Sequence, residues 1–85
     1  MIIQTTSRFD KDYQSLPKKI QLKTDSILEI FLNNPYHPSL HTKKMKGVKN
    51  IFEGRVTINY RFTFQISGEI YILRRIGTHD ILRTP

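Results

Sequence analysis

The chain has 85 residues and no cysteine, so neither disulfides nor a thiolate metal site can staple it, and its size suits one domain over residues 1–85. Apolar residues make up 38%, enough for one sheet with a helical layer; with no long apolar run and no signal peptide, a cytoplasmic protein without a membrane partner is expected. Residues 1–36 carry five basic and four acidic side chains, whereas residues 37–85 carry nine basic against three acidic, and a basic field placed so unevenly in a chain of net charge +7 fits polyanion binding.

In chain order, Met1–Thr6 begins with two β-branched apolar residues and reads as a short strand. Ser7 suits an N-cap, with Asp10 three residues on as its acidic partner. Phe9, Tyr13 and Leu16 then recur at helical spacing. Pro17 interrupts and can open a second helix, whose inner stripe is predicted as Ile20, Thr24, Ile27, Leu28, Phe31 and Leu32. Asn33-Asn34-Pro35 ends it. These two amphipathic segments predict a helical hairpin. Tyr36–Asn50 reads as a link containing two prolines, two histidines and the basic run KKMKG at Lys43–Gly47.

From Ile51 to Asp80 the pattern changes. Phe52, Gly54, Val56, Ile58, Tyr60, Phe62, Phe64 and Ile66 alternate with polar residues, the mark of strands with one buried face. The run is too long for one strand, so a break is expected near Thr57–Asn59. Ser67-Gly68 supplies a second turn, and Glu69–Gly77 the next strand. The fold class predicted is α+β: two N-terminal helices packed on a twisted, mainly antiparallel four-stranded sheet. Its apolar face takes the helices, and its polar face, including Arg61 and Thr63, stays wet.

The chemistry-bearing residues divide by how well their surroundings suit them. His37 and His41 have a spacing found in zinc sites, but Pro38 between them opposes the continuous helix that would aim both rings at one ion, so no metal and no small-molecule cofactor is expected. His79 follows a strand, adjoins Asp80 and lies close in sequence to Arg74 and Arg75. An imidazole there suits proton transfer near neutral pH, with the arginines stabilising a phosphate; the alternative is a strand-end cap. Lys43, Lys44 and Lys46 form a cluster able to contact phosphates, or simply a solvated link. Arg61 can hold two phosphate oxygens with its fork, or pair with Glu53 across the sheet. Arg55 has the same ambiguity and leans structural.

Taken together, Lys44-Met45-Lys46-Gly47, Asn59-Tyr60-Arg61 and Gly77-Thr78-His79-Asp80, in this order of elements, resemble the RelE/ParE superfamily of toxins from bacterial type II toxin–antitoxin pairs. The likeness covers nearly the whole chain. It implies two helices on a twisted antiparallel sheet, and a metal-independent endoribonuclease that cuts messenger RNA on the ribosome and is silenced by a cognate antitoxin. By the same resemblance His79 is the general acid or base, Arg61 stabilises the transition state, and Lys44 and Lys46 hold RNA phosphate, with Lys46 counted among the catalytic residues as well. Lys43, Arg74 and Arg75 complete the expected phosphate-binding set. The tail Ile81–Pro85 lacks the aromatic residue that many such nucleases carry after the last strand. Two alternatives therefore stay open: the ParE branch, which inhibits DNA gyrase, and an inactive toxin-like binding module.

Overall fold

The computed structural model describes residues 1–85. In chain order the elements are β1 (Ile2–Thr5), α1 (Ser7–Gln14), α2 (Lys18–Asn33), β2 (Lys43–Lys44), β3 (Ile51–Arg55), β4 (Tyr60–Ser67) and β5 (Ile70–Thr78). Short 3-10 turns stand at Pro38–Leu40 and His79–Arg83. The sheet has five strands, ordered β1-β5-β4-β3-β2. β1 runs parallel to β5 and every other pairing is antiparallel. The expected four strands are thus corrected to five in a mixed sheet. The addition is β2, whose two residues are too few to show alternation and which the sequence presents as linker.

The alternation in the second half does set the register. Gly54 pairs with Phe62 and Phe52 with Phe64 across β3 and β4, which puts all four on the helix side. The break falls at residues 56–59, where Thr57 Oγ1 accepts from the amides of Asn59 and Tyr60, both at 3.2 Å. Phe62 and Phe64 are fully buried. Phe31 of α2 meets them edge-on at 5.5 and 4.8 Å, and meets Tyr71 at 5.8 Å. Gly54 is required here, since a Cβ at that position would lie 2.4 Å from the Phe62 ring. Phe31, Phe62 and Phe64 are the largest fully buried side chains, and truncating any one ring to alanine costs about 3–5 kcal/mol.

Two helix details differ from expectation. The N-cap of α1 is Thr6, not Ser7: its Oγ1 accepts from the Phe9 amide at 3.0 Å and donates to the Arg74 carbonyl at 2.9 Å. Its amide donates to the Leu73 carbonyl, so strand pairing holds Thr6 extended and the helix starts one residue later. In α2, Thr24, Ile27 and Phe31 form the buried stripe, while Leu32 is exposed because it lies a hundred-degree step off that stripe. Pro17 precedes the helix, and Asn34, extended, closes it.

The opposite sheet face is not wet. Glu53, Arg61 and Thr63 are all buried, which corrects the placement of Arg61 and Thr63 in solvent. His41 and Thr42 of the link and the C-terminal turn lie against this face. A bulge in β5 adds to this: Thr63 pairs with Arg75 but Phe64 pairs with Leu73, leaving Arg74 as the extra residue. Leu73 and Ile76, three apart, therefore both reach the core.

Candidate functional site

On this second face the strands and their cover enclose a pocket of about 370 Å³ with no apolar side chain in its lining. Arg55 and Arg61 form its floor, directly paired across β3 and β4. Like charges placed opposite each other repel, so the arrangement needs a compensating anion. Glu53, two residues before Arg55 on the same strand face, supplies one carboxylate. Its Oε1 accepts from Lys43 Nζ at 3.1 Å, the two being register partners across β2 and β3. Its Oε2 is buried with no hydrogen-bond partner, and so are Arg55 Nε and the hydroxyl of Thr63, the register partner of Glu53. Unpaired buried polar atoms are rare in folded proteins and cost about 1–3 kcal/mol each, so three on one face give it hydrogen-bonding capacity that the chain's own groups do not use.

Arg61 is held by its own turn. One terminal nitrogen, Nη1, donates to the carbonyls of Thr57 and Ile58, both at 2.6 Å, which leaves Nε and Nη2 free to meet a ligand. Burial and the neighbouring Arg55 push its pKa down from the usual arginine value, while Glu53 opposes the shift. The histidines come from the two ends of the cover. His41 takes a left-handed conformation (φ 48°) after the turn anchored by fully buried Leu40. His79 opens the C-terminal turn, which buried Ile81 fastens to the sheet over Gly77; a Cβ on Gly77 would lie 2.9 Å from the Ile81 side chain. A tight contact between two small surfaces thus places an exposed imidazole at the pocket wall.

No family model and no curated protein matches this sequence. Solved structures do. The RelE chain of the RelB–RelE antitoxin–toxin complex from Methanococcus jannaschii aligns over 99% of this chain and 96% of its own, at 25% identity and a TM-score of 0.76. YafQ from E. coli aligns over 94% of each chain, at 18% identity and 0.77. A YoeB/ParE toxin from Agrobacterium tumefaciens aligns over 93% of this chain and 99% of its own, at 19% and 0.78. The chain has the fold of a RelE-like toxin. YafQ has also been solved in a toxin–antitoxin complex with DinJ.

Within this RelE-like frame the expected residues separate into three groups. His79, Arg61 and Lys43 meet at the pocket. Lys44 and Lys46 line an adjoining groove of about 310 Å³ that shares Lys43 and Glu53 with the pocket, so they stand beside it and not in it. Arg74 and Arg75 are held away from the pocket by partners of their own. Arg75 donates to Asp12 of α1 from Nε (2.7 Å) and Nη2 (3.1 Å), and from Nη1 to the carbonyl and hydroxyl of Thr84. The bond to Asp12 raises its pKa further. Arg74 is bound to the Gln65 side chain and to the Pro85 carbonyl. His41, Glu53 and Arg55 also line the pocket, although the sequence suggests His41 only as a metal ligand, Glu53 only as a partner for Arg61, and a structural part for Arg55. Arg55 and Glu53 carried a usable signal, because both share the odd-numbered face with Arg61; His41 carried none beyond its proximity to Lys43.

Proposed function

We propose that this chain is the toxin of a type II toxin–antitoxin pair and acts as a metal-independent endoribonuclease on messenger RNA in the ribosome, with a cognate antitoxin as its protein partner. The observation that supports this most is the convergence of His79, Arg55, Arg61 and Lys43 on one polar pocket. In the reaction a ribose 2′-OH attacks the adjacent phosphorus, the bond from phosphorus to the 5′ oxygen breaks, and a 2′,3′-cyclic phosphate and a free 5′-OH result. One proton leaves the 2′-OH and one reaches the departing 5′ oxygen. His79, exposed at the pocket wall, serves as a proton-transfer group. Arg61 stabilises the charge gained on the phosphoryl oxygens, with Nε and Nη2 available for it. Arg55, opposite Arg61, shares that task. Lys43, at the pocket itself, and Lys44 and Lys46 in the adjoining groove hold flanking phosphates.

The test is primer extension on messenger RNA from cells expressing the chain. Wild type is expected to give discrete cuts. His79→Ala lowers them roughly a hundredfold or more by removing a proton-transfer group. Arg61→Ala lowers them by a few kcal/mol in the barrier, about the scale of losing one transition-state donor. Intact messages with failing DNA supercoiling would move the protein to the gyrase-inhibiting branch, and no growth effect would make it a binding module.

A further inference from the structure

We propose that Glu53 is a positioning residue, the resident counter-anion of the Arg55–Arg61 pair, and that Lys43 passes from Glu53 to a dianionic phosphate when one enters the pocket. The inference rests on the pocket being a phosphate site, as in the proposed function, and assigns what holds that site together when it is empty.

The first argument is electrostatic. Arg55 and Arg61 face each other as register partners, Arg61 buried and Arg55 half-buried, where their repulsion is less screened than in open solvent. Glu53 lies two residues along β3 from Arg55 and diagonally across from Arg61, close enough to counter both. Without it the empty pocket would set three cations against no fixed negative charge on its floor. The second argument is hydrogen bonding. Glu53 is 6% exposed, yet its Oε2 bonds to nothing and Arg55 Nε–H bonds to nothing. The carboxylate compensates charge without saturating the donors. Those donors, with the free nitrogens of Arg61, are left for a ligand rich in acceptor oxygens.

The third argument concerns Lys43. Its side chain is 71% exposed while that of Glu53 is 8% exposed, so the lysine end of this ion pair is the mobile one. An exposed lysine gains little by staying on one carboxylate. A phosphate seated between the arginines gives it a stronger partner within reach, because Lys43 lines the pocket as well as the groove. The charge count then selects the ligand. Lys43, Arg55 and Arg61 against Glu53 leave a surplus of two positive charges. That surplus matches a phosphate dianion: inorganic phosphate, a phosphomonoester end, or the doubly charged transition state of diester cleavage. A singly charged ground-state diester is matched less well. Glu53 in this account weakens ground-state binding and so favours turnover.

The experiment is phosphate binding by calorimetry, with melting temperature in chloride buffer as a second readout, on the full chain and two variants. Glu53→Gln keeps the side-chain volume and removes the charge. It is expected to bind inorganic phosphate about tenfold more tightly, the scale of one unit charge at a few ångströms in a partly buried site. In chloride it should melt lower than wild type and recover more on adding phosphate, because the ligand restores the missing anion. Lys43→Met, at an exposed position, is expected to weaken phosphate binding about threefold in wild type, and by more in the Glu53→Gln background, where the lysine has no competing partner. Equal or weaker phosphate binding by Glu53→Gln would overturn the counter-anion role, and an unchanged affinity in Lys43→Met would overturn the transfer. If Glu53→Gln melts below the assay temperature, Lys43→Met still decides that half. Phosphate binding is read without RNA, so a chain that shows these effects but cuts no message would refute the nuclease reading alone.

Discussion

Replacing Arg75 with methionine separates two roles that one sequence position could serve. Arg75 lies close to His79 in sequence and belongs to the basic surplus, which suits a phosphate ligand; the structure instead commits all three of its nitrogens to protein. Nε and Nη2 bind Asp12 of α1, and Nη1 binds Thr84. Asp12 also accepts from the Ile76 amide at 3.2 Å, and so satisfies the β5 edge beyond the point where β1 ends. The two side chains of the pair are 15% and 17% exposed. Breaking such a pair by removing one partner leaves a largely buried carboxylate, which costs about 3 kcal/mol, the low end of the range for fully buried pairs. For a domain of this size that lowers the melting temperature by about 12–24 °C. Urea unfolding should show the midpoint shifting at unchanged slope, since native and denatured surfaces stay the same. Asp12→Asn in the same chain removes the stranded charge but still accepts from Ile76, so the double variant should be more stable than Arg75→Met alone. Stability within about 0.5 kcal/mol of wild type, together with lost RNA cleavage, would refute this reasoning and return Arg75 to the site.

Two further outcomes follow from the same geometry. Gly54→Ala drives a methyl into the Phe62 ring, 2.4 Å away, and should destabilise by about 1–3 kcal/mol, as over-packing does; a midpoint in urea equal to wild type would mean the ring has somewhere to go. Binding of a cognate antitoxin should weaken as salt rises, because the basic surplus of residues 37–85 invites acidic partners, and titrations unaffected by salt would show that apolar contact alone drives the association.

The fold was legible where periodicity and packing agree. Phe62 and Phe64 alternate with polar neighbours, and both are buried against Phe31, because a period of two admits only one set of side chains to a helix-covered face. Pro17 and Asn33-Asn34-Pro35 bound α2 because their backbone preferences leave few other conformations. Long-range pairing was not legible. Lys43–Lys44 becomes a strand only through partners at Glu53 and Phe52, and Thr6 rather than Ser7 caps α1 through its bonds to the carbonyls of Leu73 and Arg74. Neither dependence has a local signature.

The site was half legible for a related reason. His79 and Arg61 are conspicuous because of their residue types, and the strand-turn pattern brings them to one end of the sheet. The period-two rule that places Arg61 opposite the helices also places Arg55 and Glu53 there, so those two were within reach of the pattern. What hid them was the assumption that a polar face is a solvated face. In a sheet covered on one side by helices and on the other by a C-terminal turn, polar residues on the second face are buried as well, and their charges must answer one another. Arg55 against Arg61 is then a conflict to be settled, and Glu53 settles it only in part, since Oε2 and Arg55 Nε stay unpaired. Arg75 shows the converse. Arg75 pairs in register with Thr63 on the site face, yet its bonds to Asp12 draw its guanidinium to α1. Nearness in sequence to a catalytic candidate therefore says little when a closer carboxylate claims the side chain, whereas an unsatisfied neighbour across the register says a good deal.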